Sequence, residues 1–224
     1  MDEELKNSIL ACLYDSCSPV FIKNLLKTSY IEYVHEKLKL DLTSLCAKDP
    51  SSMSDPVYVL RNYSSFSAVL HYRIANNIFN SMELNESEAC KRNFSAFISQ
   101  RGKLKSGAEI HYEAKIGDSF ILDHGYGTVI GQTSEIGSNC YILGGVVLGA
   151  IGISDNPTDK RHPTIGNNVE IGANSSVLGN LKIGNNVFIG PNCTIIKDIK
   201  NNEKVINKSY KNQMVITLKG EKIL

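Results

Sequence analysis

Apolar positions along this chain follow two different periods, and the change falls near residue 102. Before it they recur at helical spacing: Ile9, Leu10 and Leu13, then Leu25 and Leu26, then a stretch carrying Leu60, Phe66, Val69, Leu70, Ile74, Ile78 and Phe79, then Phe94, Phe97 and Ile98. Two dipeptides, Ser18-Pro19 and Asp55-Pro56, put a capping side chain ahead of a proline whose fixed φ suits a first helical turn. The pattern predicts four or five helices, the last ending near Arg101-Gly102. A bundle of this size buries its own stripes or lends them to a neighbouring subunit.

After residue 102 the period becomes six. From Ile165 the chain reads IGNNVE, IGANSS, VLGNLK, IGNNVF, IGPNCT, IIKDIK, so that Ile165, Ile171, Val177, Ile183, Ile189 and Ile195 head successive hexads. The same phase runs through Ile130, Ile136, Ile142 and Leu148, and an earlier pair, Ile116 and Leu122, carries it back towards residue 110. A hexad is too short for a helix and a turn, but it fits a short strand followed by a tight corner, where glycine or asparagine takes positive φ at little cost. Three hexads make one triangular coil with the leading aliphatics stacked inside, a solenoid. The asparagines of the repeats, such as Asn167, Asn168, Asn185 and Asn186, read as corner residues.

Two irregularities interrupt the ladder. The step from Leu122 to Ile130 is eight and contains Asp123-His124-Gly125-Tyr126-Gly127; between Leu148 and Ile165 a polar excursion ends in Arg161-His162-Pro163. Insertions in a solenoid loop outward and usually carry function, and each of these holds a histidine.

Composition sharpens the division. All 17 glycines of the 224 residues lie at or after Gly102. The formal net charge of +1, with 21% charged residues, gives no electrostatic reason to expect nucleic acid or an anionic membrane as partner. No apolar run approaches a membrane span, and Met1 is followed by Asp2, Glu3 and Glu4 rather than a basic region, so a cytoplasmic protein is expected. The six cysteines, Cys12, Cys17, Cys46, Cys90, Cys140 and Cys193, show no paired spacing; they read as small buried thiols, without disulfide, metal or catalytic role. His35 and His71 lie in helical periodicity and read as packing or surface residues, and His111 starts the coil.

These stretches resemble the serine acetyltransferases, hexapeptide-repeat enzymes that make O-acetylserine from serine and acetyl-CoA as the first step of cysteine synthesis. The similarity rests on Glu109-Ile110-His111, Ala114-Lys115-Ile116-Gly117, Leu122-Asp123-His124, Thr128-Val129-Ile130-Gly131, Val147-Leu148-Gly149, Arg161-His162-Pro163, Ile171-Gly172-Ala173 and Leu178-Gly179-Asn180. It extends weakly to Lys48-Asp49-Pro50 and His71-Tyr72-Arg73-Ile74-Ala75 in the helical half. The resemblance implies an α+β fold: an N-terminal helical domain over residues 1–104, a left-handed parallel β-helix over 105–212 with its excursion at 150–164, and a C-terminal tail over 213–224.

Acetyl transfer to an alcohol needs a base for the hydroxyl proton, and histidine, with an ordinary pKa of about 6.5, is the natural choice when a carboxylate orients it. By the resemblance His124 is that base, with Glu109 as its orienting carboxylate; Glu109 sits fifteen residues earlier, so that the two side chains are expected to meet within about one coil. Asp123 and Asp49 would hold the substrate ammonium and Arg161 its carboxylate, a guanidinium fork matching that group in charge and shape. His162 would bind or orient the substrate. Backbone around Gly149, Ala150, Gly172 and Ala173 would meet the coenzyme. Acetyl-CoA is then the co-substrate, direct attack in a ternary complex is the simplest mechanism, and no metal is expected.

The chain departs from the family pattern at three places. Glu109 stands where an aspartate is usual, Gly149-Ala150-Ile151-Gly152 replaces a Gly-Gly-Thr-Gly run, and Ile206-Asn207-Lys208-Ser209 replaces a Gly-x-Pro-Ala segment. Two alternatives therefore stand beside serine acetylation: an acyl-CoA-dependent O-acyltransferase acting on another hydroxylated amino acid or a sugar, and a non-catalytic or metal-dependent β-helix. The family implies a homotrimer with each active site between two subunits, or a dimer of such trimers joined by the helical halves. The segment Met214–Leu218 alternates weakly like an edge strand, and the ending Lys222-Ile223-Leu224 argues against a complex with a partner sulfhydrylase.

Overall fold

The computed structural model describes residues 1–156 and 158–207, so the expected edge strand and terminal tail lie outside the described residues. Six α-helices come first: α1 (Asp2–Ser16), α2 (Pro19–Leu25), α3 (Tyr30–Lys48), α4 (Pro56–Asn62), α5 (Ser64–Asn80) and α6 (Glu88–Ser106), with a 3-10 turn at Pro50–Ser52. Both proline signals are helix starts. The Ser18 side chain accepts the Phe21 N–H at 3.3 Å, and Asp55 accepts those of Val57 and Tyr58 at 2.9 and 3.1 Å. The count exceeds the expected four or five because the stretch from Asp55 breaks at Tyr63, whose extended backbone ends one helix and caps the next.

The last helix also runs past its expected end. Gly102 lies inside α6, where α5 comes so near that a Cβ on Gly102 would stand 2.7 Å from that of His71. The helix stops at Gly107, which takes φ 71° and sends its N–H to the Lys103 carbonyl at 2.8 Å, a left-handed cap that glycine adopts readily.

Fourteen short strands follow: β1 (Glu109–Ile110), β2 (Lys115–Ile116), β3 (Ile121–Leu122), β4 (Val129–Ile130), β5 (Glu135–Ile136), β6 (Tyr141–Ile142), β7 (Val147–Gly149), β8 (Thr164–Ile165), β9 (Glu170–Ile171), β10 (Ser176–Leu178), β11 (Lys182–Ile183), β12 (Phe188–Ile189), β13 (Thr194–Ile195) and β14 (Lys204–Val205). They form three parallel sheets in the orders β1-β4-β7-β10-β13, β2-β5-β8-β11 and β3-β6-β9-β12-β14. Apart from β12, which pairs with β14, each strand pairs with the third one along, the signature of a three-sided coil, and the fold is the expected left-handed parallel β-helix.

Register aligns the hexad leaders. Ile110, Ile130, Leu148, Val177 and Ile195 stack in one sheet, and Ile116, Ile136, Ile165 and Ile183 in the second. Leu122, Ile142, Ile171, Ile189 and Val205 stack in the third. All but the half-buried Val205 are buried, so the ladders are the core of the coil. Asparagines tie the corners: Asn185 Oδ1 accepts the Asn167 N–H at 2.7 Å, and Asn201 Oδ1 repeats this for Asn185.

The stretch His71-Tyr72-Arg73-Ile74-Ala75 joins the two halves. Tyr72 Oη donates to the Ala114 carbonyl at 2.7 Å and accepts the Ile116 N–H at 3.1 Å. Arg73 is forked onto Asp41 of α3 at 2.8 and 3.0 Å and also donates to the carbonyls of Ile116 and Gly117. Asp41 is fully buried and takes a further bond from the Phe120 N–H at 2.8 Å, so every charge in this cluster is paired and hydrogen-bonded.

Candidate active site

The two interruptions leave the coil at different corners. The first joins β3 to β4, and it holds His124 in the left-handed region at φ 58°, an uncommon state for a non-glycine residue. The His124 side chain is 82% exposed there, with Nε2 3.9 Å from Asp123 Oδ2. The second interruption joins β7 to β8 and ends on Arg161 and His162.

Around the first corner the helical half completes a cleft of about 260 Å³ lined by Asp49, Tyr63, Ser64, Asp123 and His124 among others. Asp49 arrives because α3 ends there and its side chain caps the following 3-10 turn, accepting the Ser51 N–H at 2.8 Å. Thus Asp49, from the helical half, joins the adjacent Asp123 and His124 in one cleft.

Two tyrosines that the sequence reading passed over hold the carboxylates. Tyr63 Oη donates to Asp49 Oδ2 at 2.6 Å, and Tyr141 Oη donates to Asp123 Oδ2 at 2.8 Å. The Tyr63 bond is the main cause that keeps the Asp49 carboxyl below its ordinary pKa, and its reciprocal pushes the Tyr63 phenol up to about 12. Burial, then the bond to Asp123, raises Tyr141. Neither tyrosine heads a hexad or falls in a motif, so no spacing in the sequence marks it.

Glu109 does not meet His124 in this chain. Its carboxylate pairs with Lys103 from the last turn of α6, and among the described residues no hydrogen bond or ion pair joins it to His124. Glu109 nonetheless stands beside the end of the His124 turn, with its N–H on the Thr128 carbonyl at 2.8 Å.

Arg161 and His162 form a separate group with Gln132, Thr133 and Lys160. Arg161 Nη2 donates to Gln132 Oε1, while Thr133 Oγ1 accepts the N–H groups of both Arg161 and His162 at 3.0 Å. His162 is 8% exposed, and burial first, then the charges of Arg161 and Lys160 and the nearby His111, hold its pKa down to about 4.

Of the expected coenzyme residues, Gly172 and Ala173 line a larger, mostly apolar cleft of about 560 Å³ together with Tyr141, Leu143, Phe188 and Pro191. Tyr141 therefore borders this cleft while its hydroxyl reaches Asp123. Gly149 and Ala150 lie at the other corner, where β7 runs into the excursion, so one chain does not gather all four. Among the described residues no group of three or more His, Cys, Asp or Glu is arranged to hold a metal ion, and no helix is long and apolar enough to cross a membrane.

Comparison with known proteins gives this geometry a family. Residues 162–197 match the bacterial transferase hexapeptide (six repeats) family. The chain is 38% identical over 148 residues to serine acetyltransferases of Staphylococcus aureus and Staphylococcus epidermidis, an alignment covering 66% of this chain and 64% of each relative. It thus spans a little under two thirds of the length of these curated relatives. Among solved structures, serine acetyltransferase isoform 3 of Entamoeba histolytica in complex with cysteine superposes with a TM-score of 0.73 at 30% identity, covering 96% of this chain and 72% of that one. The Neisseria gonorrhoeae serine acetyltransferase in complex with serine gives a TM-score of 0.73 at 27% identity, covering 91% and 80%. Fold, repeat and sequence agree, and the chain belongs to the serine acetyltransferase family of hexapeptide transferases.

Proposed function

We propose that the chain is a serine O-acetyltransferase, moving acetyl from acetyl-CoA to the hydroxyl of L-serine to give O-acetyl-L-serine and coenzyme A. The observation that carries this reading is the convergence of Asp49, Asp123 and His124 on one small cleft. Two carboxylates suit an ammonium group, and an exposed imidazole beside them suits a hydroxyl that must lose a proton.

In the proposed mechanism His124 takes the proton as the serine oxygen attacks the thioester carbonyl. The tetrahedral intermediate collapses with release of the thiolate, which recovers the proton from His124. Glu109 is the candidate carboxylate for orienting His124: its pair with Lys103 is half-exposed on both sides, and such pairs are weak enough to exchange. The other face of the larger cleft, beyond Tyr141, offers an apolar path for the pantetheine arm past Gly172 and Ala173.

Among the described residues the cleft lining carries no lysine or arginine for the substrate carboxylate. Arg161 is at another corner of the coil, as are His162, Gly149 and Ala150. A threefold arrangement, in which the second corner of one copy covers the first corner of the next, supplies all of these at once, and we include this homotrimer in the proposal; contacts between helical halves would make it a hexamer. The six free cysteines fit a reducing, cytoplasmic setting.

The test is release of free thiol from acetyl-CoA by the full chain, with serine and a panel of other hydroxylated acceptors, beside light scattering for the assembly. Turnover with serine is expected. Turnover with another acceptor and none with serine would move the reading to an O-acyltransferase of different specificity, and no turnover with any would overturn it.

A further inference from the structure

His162 is the most constrained histidine of the coil. Its Nδ1 accepts the Thr133 N–H at 3.2 Å and lies 2.9 Å from Thr133 Oγ1. A backbone N–H can only donate, so Nδ1 carries a lone pair. The threonine hydroxyl is likewise committed: its oxygen already accepts the Arg161 and His162 N–H groups at 3.0 Å, which turns its single proton towards Nδ1. The Thr133 carbonyl takes Lys160 Nζ at 2.6 Å, so this one residue fastens Lys160, Arg161 and His162 where the excursion rejoins the coil.

The ring is held from its other side by an absence of side chain. It lies on Gly131, where an added Cβ would stand 2.1 Å from both Cδ2 and Nε2. Nε2 has no partner within the chain among the described residues, and it is the one polar ring atom left for a ligand.

We infer that Thr133 is a positioning residue: its hydroxyl and its N–H together hold His162 with the lone pair on Nδ1 and the proton on Nε2, so that His162 meets the acceptor as a hydrogen-bond donor and not as a base. The role in turnover rests on the acetyltransferase reading; the ring state does not. The charged and titratable groups around the ring, Arg161, Lys160 and His111, act in the same sense, each opposing a second proton. A donor on an oxygen of the bound acceptor contributes to binding without itself gaining or losing a proton.

The experiment is nitrogen NMR of the full chain labelled in its histidine rings, with His162→Gln to assign the signal. The wild-type ring is expected as the Nε2–H form with no titration between pH 8 and pH 5. Thr133→Val is expected to raise its titration midpoint by about one pH unit, and to raise KM for the acceptor at least about fivefold with a smaller change in kcat; Thr133→Ser restores both. A wild-type ring protonated on Nδ1, or titrating near pH 6.5, overturns the inference and needs no variant to fold. So does a Thr133→Val ring that keeps the wild-type midpoint. If the ring behaves as expected but no hydroxylated acceptor turns over, the acetyltransferase reading fails and the positioning of His162 stands.

Discussion

Each interruption of the ladder carries a charged residue followed by histidine, the first at its start and the second at its end, and the fold makes the two pairs opposite. Asp123-His124 sits on an open turn, with His124 at positive φ and largely in solvent. Arg161-His162 is folded back on the coil, with His162 buried on Gly131 and both Nδ1 and the backbone committed to Thr133. An exposed histidine beside two carboxylates suits acid–base work. A histidine whose second nitrogen is occupied and whose surroundings are positive suits giving a hydrogen bond. The difference lies in what the neighbouring coil presents to each ring.

The largest effect is expected from breaking the frame that both corners share. Asp41→Ala leaves Arg73 buried without its partner and removes the acceptor for Phe120 N–H, and should cost about 3–5 kcal/mol in chemical denaturation. Next, His124→Ala should lower kcat at least about 100-fold in thiol release, whereas His162→Gln should act more on KM than on kcat. Equal losses in kcat for the two would erase the proposed contrast between base and donor.

Acid stability sharpens it further. His162 is neutral in the folded chain down to about pH 4, while an unfolded imidazole takes up its proton near 6.5. The unfolded state therefore binds more protons between these values, and the contribution of His162 is full above pH 6.5 and lost progressively as pH falls to 4, by about 2–3 kcal/mol. Thermal unfolding of His162→Asn across that window should show a shallower loss than the wild type. The smallest effects belong to Tyr63→Phe and Tyr141→Phe. Each removes one donor from a carboxylate of the first cleft and should raise KM for the amino acid about five- to tenfold, by the net strength of one hydrogen bond, with kcat nearly kept.

Much of this was legible along the chain. The hexad leaders named the interior ladders residue by residue, and the breaks in their spacing marked both corners. Helix number was less legible: a single extended residue, Tyr63, separates α4 from α5, and a one-residue break leaves apolar periodicity almost unchanged. Gly102 misled as a helix end because glycine serves a close approach as well as a cap, and only the packing of His71 tells them apart. Tyr63, Tyr141 and Thr133 were silent for a related reason. An aromatic or a threonine fits a coil or helix pattern whatever its hydroxyl does.

The sequence by itself determined the repeat, the aliphatic core and the two places where chemistry leaves the coil, since each is a matter of local period and of its interruption. Only the tertiary structure decided that Asp49 from the helical half joins Asp123 and His124, that Glu109 is paired with Lys103, and that His162 is locked by Thr133. Those outcomes depend on which coil stacks on which and on how the Asp41–Arg73 cluster docks the helices against the first coil, contacts between residues far apart in the chain that no local pattern encodes.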